Sequence, residues 1–326
     1  MAGGRLRGLL RLSALCASAL PLAGCGGGGG ANVVALLAPA TSVAPATPVA
    51  PAVPVVPVIP IEPIVPAGVP TTLNGRTLVW SDEFGTDGLP DSSKWSYDTF
   101  RNQAGWYNGE LQYYSNARLQ NSSVSGGVLT LKAIQERLST QPDYGNQNYS
   151  SARLITYGKY SFTYGFVEVR AKLPCSQGTW PAIWMLGDAT SSSGVGANAW
   201  PGPGEIDIME QRGISVPADK QVVLGTLHTI ARNGGNGISA SRSVADACSA
   251  FHNYQLTWTA DRIQIGVDNT VYNTFDKPLN ADRSVWPFNQ PQYLLLNLAM
   301  GGVLGGSVPA SFVSDSMQIE YVRVYQ

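Results

Sequence analysis

Charge is scarce in this sequence, and neither sign accumulates. Only 13% of the 326 residues are charged, with 21 basic against 22 acidic side chains and a formal net charge of −1. Without a basic patch the chain has no electrostatic means of holding nucleic acid. Histidine is limited to His228 and His252, and cysteine to four residues. Neither Cys175 nor Cys248 has a partner at metal-ligand spacing, so a cysteine-based zinc site is a poor reading. No nucleophile elbow accompanies the histidines, which leaves a serine triad unsupported. Amphipathic runs long enough for a substantial helix are lacking too. What is abundant is Gly (36), Tyr (14) and Trp (8), the profile of an exported β protein with an aromatic surface.

The N-terminus reads as an export signal over residues 1–24: arginines at 5, 7 and 11, then the apolar stretch Leu12 to Leu22. That stretch is too short to span a bilayer as a retained helix. Removing the three arginines leaves 18 basic against 22 acidic residues, a charge of −4. Leu22-Ala23-Gly24-Cys25 resembles a bacterial lipobox, which predicts a lipid anchor on Cys25 and a cell-surface or outer-membrane lipoprotein, or otherwise a secreted protein. Residues 25–71 form a Gly- then Pro-rich tether. Ten of the 22 prolines fall between residues 31 and 70, which favours an extended, polyproline-like chain reaching on the order of 100 Å. In an oxidising compartment, Cys175 and Cys248 are expected to form a disulfide.

From residue 72 to 326 the pattern is strand after strand. Alternation is clear in Phe166–Leu173 and in Ile319–Tyr325, and many short strands over some 250 residues predict an all-β domain. The expected fold is a two-sheet antiparallel β-sandwich of jelly-roll type with a concave groove, acting as a monomer.

The densest chemistry lies in Glu205-Ile206-Asp207-Ile208-Met209-Glu210. Side chains alternate along a strand, so Glu205 and Asp207 share one face while Ile206 and Ile208 point to a core. Strict alternation would bury Glu210, at a cost of several kcal/mol for an unpaired carboxylate. A β-bulge at Ile208-Met209 returns Glu210 to the acidic face. Two glutamates bracketing an aspartate on one face can perform glycoside hydrolysis, one as nucleophile and one as proton donor. A calcium site or a solvated acidic edge is the plainer alternative, but calcium asks for loop oxygens and turn-making glycines.

This hexapeptide resembles the bulged signature of glycoside hydrolase family 16, and the resemblance runs from about Trp80 to Gln326. It is carried also by Trp80–Phe84, Gly178–Leu186, Gly225–His228, Trp286–Phe288, Leu296–Gly302 and Glu320–Tyr325. The resemblance implies a β-jelly-roll and retaining, endo-acting cleavage of β-linked polysaccharide, with Glu205 as nucleophile, Glu210 as acid/base and Asp207 as modulator. The set is most similar to the laminarinase-like branch, implying β-1,3-glucan as substrate; mixed-linkage glucan or a galactan, and transglycosylation, are alternatives. A reading of another class is a non-catalytic glucan-binding lipoprotein, against which the three crowded acids speak.

For the groove, Trp180 and Trp184 fall on one strand face with small Ala182 between them, suited to stacking on sugar rings. Sandwich core is an equal reading for Trp184. His228 matches the family's groove histidine. The resemblance implies binding roles for Asn108 and Glu110, although Gly109 stands where a second asparagine is common, and for Arg153, whose plainer reading is a surface salt bridge. No cofactor is required. Glu83 and Glu320 stand where some family members hold a structural calcium, with Glu320 in place of the frequent aspartate.

Overall fold

The computed structural model describes residues 68–188, 200–213 and 221–326. The expected signal segment, Cys25 with its expected lipid anchor, and nearly all of the expected tether lie outside the described residues. Pairing begins where the tether was expected to end: Thr72–Leu73 turns back on Arg76–Asp82.

Two sheets face one another. One has eleven strands and the other seven. The two alternating stretches fall on the strands Gly165–Lys172 and Ser314–Tyr325, and the longer strands include also Val128–Gln135, Thr179–Gly187, Glu205–Gln211, Val222–His228, His252–Trp258, Arg262–Val267 and Gln292–Met300. Among the described residues, pairing is antiparallel except that Gln112–Tyr114 runs parallel to Tyr149–Ser151. Among the described residues the α-helix is limited to Gly302–Gly305. The expected all-β sandwich is the fold.

Val128–Gln135 illustrates how sequence makes the layers. Leu129, Leu131 and Ala133 are fully buried while their neighbours are partly exposed, the alternation of a sheet with one face on a core. They meet Ile206, Ile208, Met209, Leu294, Leu296, Leu298 and Met300 from the seven-stranded sheet in one hydrophobic core.

In the seven-stranded sheet Glu205–Gln211 is flanked by Thr179–Gly187 and Val222–His228, and Thr179–Gly187 pairs in turn with Gln292–Met300. Alternation then sorts each strand: Ile183 and Met185 enter the core, and Trp180, Ala182, Trp184 and Leu186 face a groove on the other side. On the partner strand Leu294, Leu296 and Leu298 go to the core, while Tyr293, Asn297 and Ala299 line the groove.

Candidate active site

The acidic strand carries the expected bulge. Asp207 pairs with Thr226 and Glu210 with Leu224, so Ile208 and Met209 together oppose Gly225. Both are fully buried, and the extra residue turns Glu210 to the face of Glu205 and Asp207, where all three line one groove of about 330 Å³. Gly204 fixes the entry to this strand. Its φ of +81° is a conformation side chains rarely adopt, and a Cβ there would lie 2.8 Å from Pro287 Cγ.

Each glutamate is held by an indole. Trp200 Nε1 donates to Glu205 Oε2 at 2.8 Å, and Trp180 Nε1 donates to Glu210 Oε1 at 3.1 Å. His228 Nε2 lies 3.3 Å from Asp207 Oδ2 and 3.7 Å from Glu205 Oε1. All three carboxyls are pushed up, first by burial and then by one another. Burial and the charge of Asp207 raise Glu205 to about 8. Burial and the charge of Glu205 raise Glu210 to about 7. Burial and Glu210 put Asp207 well above the usual carboxylate range. Burial and mutual repulsion thus keep the three acids from all ionising together near neutrality, and a retained proton is what general acid catalysis needs.

The rest of the groove is built around Arg153. Its guanidinium stacks between the Trp106 and Trp184 rings, 5.0 and 4.7 Å from their centroids, and pairs with Asp98 at 3.1 Å. This is a buried ion pair, not the surface salt bridge that was the plainer reading. Trp184 turns to the groove rather than the core and donates from Nε1 to Asn297 Oδ1 at 2.7 Å. Asn297 in turn donates to the Tyr114 hydroxyl at 3.1 Å. Asn108, with φ +58°, and Glu110 line the same groove. Glu110 accepts a 2.8 Å bond from Gln112, and burial raises its pKa.

Sequence reasoning missed Trp200, Asp98, Phe100, Tyr107, Tyr293 and Asn297, all lining the groove. Asn297 had a signal: an amide inside Leu294–Ala299 is the one polar residue of an otherwise apolar run. Two expectations fail. Glu83 is held by Arg323 through contacts of 2.9 and 2.8 Å, and Glu320 by Arg170 at 2.5 Å. Each carboxylate is neutralised by its own guanidinium, so this pair does not fit a calcium ion, which would have to displace both. Cys175 and Cys248 are not joined. Cys175 is exposed, while the Cys248 thiol donates to the Pro174 carbonyl at 3.3 Å and accepts from Gln211 at 3.8 Å.

A β-sandwich with paired, partly buried glutamates in an aromatic-walled groove is the architecture of a carbohydrate-cleaving hydrolase. Residues 108–323 match the profile of the glycosyl hydrolases family 16, and the chain belongs to that family. It is 45% identical over 258 residues to the beta-glucanase of Rhodothermus marinus, covering 76% of this chain and 85% of that one. It is 37% identical to glucan endo-1,3-beta-glucosidase A1 of Niallia circulans, over 79% of this chain but only 39% of the longer relative. Among solved structures, SCLam, a non-specific endo-beta-1,3(4)-glucanase, superposes with a TM-score of 0.71 at 46% identity, covering 78% of this chain and 92% of its own.

Proposed function

We propose that this family 16 hydrolase is a retaining endo-β-1,3-glucanase, with Glu205 as nucleophile and Glu210 as acid/base. The observation that carries the reading is the bulged strand itself, which sets Glu205, Asp207 and Glu210 on one groove face, each glutamate anchored by an indole N–H. The named relatives act on β-1,3- and β-1,3(4)-glucans, which supports a glucan as substrate.

In the first step Glu210 gives its proton to the glycosidic oxygen while a Glu205 carboxylate oxygen bonds to the anomeric carbon, and the aglycone leaves as an alcohol. In the second step Glu210, now ionised, takes a proton from water as its oxygen attacks the same carbon, and Glu205 departs as carboxylate. The free groove does not itself divide these roles, since Glu205 is raised to about 8 and Glu210 to about 7. The substrate does. Positive charge developing at the anomeric carbon beside Glu205 favours its ionised form and lets its proton pass to the neighbouring Asp207. Glu210 meanwhile faces both Glu205 and Glu110, whose charges favour its protonated form.

The test is product release by the full chain from laminarin, mixed-linkage β-glucan, agarose and carrageenan, with Glu205→Gln as control. Oligosaccharides from laminarin that vanish in the variant support the proposal. Activity confined to a galactan overturns the substrate, and silence on every polymer overturns the catalytic reading.

A further inference from the structure

The side chains of Glu205, Asp207 and His228 offer one donor atom each, and the three atoms lie within 4.8 Å of one another. We propose that they form a Zn²⁺ site, through which a divalent transition cation blocks the groove. The inference uses the same side chains as the catalytic reading, but it concerns a different ligand.

The two histidine distances come near those of a zinc site. A tetrahedral ion with bonds of roughly 2.0–2.1 Å sets its ligand atoms roughly 3.3–3.4 Å apart. His228 Nε2 is 3.3 Å from Asp207 Oδ2 and 3.7 Å from Glu205 Oε1. Asp207 supplies a second, independent indication. The residue is 3% exposed, and its Oδ2 has no hydrogen-bond partner. A buried oxygen with no hydrogen-bond partner carries a cost, which a cation displacing the carboxyl protons would remove.

The donor set selects the metal. One imidazole and two carboxylates suit zinc and its neighbours, whereas calcium asks for six to eight oxygens. The fourth position faces the groove, since Glu205 and Asp207 both line it. A bound ion would occupy the nucleophile and compete with sugar. His228 Nδ1 has no hydrogen-bond partner, so the ring lacks the outer acceptor that strengthens histidine ligands. The site is thus one of reversible inhibition and not of permanent metal.

His252 is the rival cluster, between Asp268 at 2.6 Å and Asp246 at 3.1 Å. Its Nδ1 is already bonded to Asp268, and both aspartates are about half exposed, so little is gained there by a metal.

The test is calorimetric titration of the full chain with ZnCl₂ in a non-coordinating buffer. One equivalent should bind to the wild type, and affinity should fall at least tenfold in His228→Gln. It should stay unchanged in a Cys175→Ser/Cys248→Ser/His252→Gln control. Circular dichroism checks each fold, and Asp207→Asn replaces His228→Gln should the latter unfold. No binding, or binding kept in His228→Gln and lost in the control, overturns the site. The readout is heat of metal binding, so failure of the glucanase reading would leave the outcome interpretable.

Discussion

The Trp200 indole N–H reaches Glu205 Oε2 at 2.8 Å, from a residue that is 42% exposed and whose ring leans on His228 at a centroid distance of 5.8 Å. An exposed residue thus holds a partly buried carboxyl from the groove side. Its hydrogen bond favours the ionised form of Glu205 and lowers its pKa.

Trp200→Phe keeps a ring and removes the donor. Losing that bond raises the Glu205 pKa, so the acid limb of kcat/KM should move to higher pH, with kcat falling roughly tenfold for about 1.4 kcal/mol of lost stabilisation. A pH profile of laminarin hydrolysis checks both. An unmoved acid limb would remove Trp200 from the nucleophile's support.

The raised acids also predict how stability depends on pH. The Glu205 carboxyl has a pKa of 4.5 in the unfolded chain and about 8 when folded. Between those values the folded state binds the additional proton, so stability falls as pH rises through the window and is greatest below it. Glu205→Gln removes this liability. The variant should melt several degrees above the wild type at pH 8, and the gap should close at pH 5. Thermal denaturation at the two pH values decides the matter.

Arg153→Met leaves Asp98, itself 6% exposed, as a buried charge without its partner. Breaking a buried pair from one side costs about 3–5 kcal/mol. The two tryptophan contacts go with it. Denaturant unfolding should show the loss, and the double variant Arg153→Met/Asp98→Asn should recover part of it. No recovery would mean that the ring stacking, not the ion pair, carries the stability.

Gly204→Ala would force a side chain onto a φ of +81° and against Pro287 and Phe288. The strain is of order 1–3 kcal/mol, and it falls one residue before Glu205. Activity should drop more than stability does, as read by kcat against melting temperature.

The acidic strand was legible because burial of Glu210 is prohibitive, and a single extra residue is the cheapest remedy. The two-sided use of Trp180–Leu186 followed from the same alternation, though alternation could not say which face was groove. That choice needs the neighbouring strand. Gln292–Met300 is buried throughout, so Tyr293 and Asn297 are hidden in a run without visible periodicity. Trp200 and Asp98 lie outside strands, where no repeat constrains a side chain. The disulfide was argued from compartment alone, and the thiols make other contacts. The calcium pair failed because two arginines distant in sequence, Arg170 and Arg323, answer those glutamates.

The assignment of nucleophile and acid/base is tested most directly by azide rescue. Glu205→Ala and Glu210→Ala would each be given an activated aryl β-glucan oligosaccharide with sodium azide, and the products resolved by NMR. With Glu205 absent, azide enters from the nucleophile's face, and the account predicts an α-glycosyl azide. With Glu210 absent, azide displaces Glu205 from the covalent intermediate, and the account predicts the β-azide. The reverse pairing, or α-azide from both variants, would contradict it.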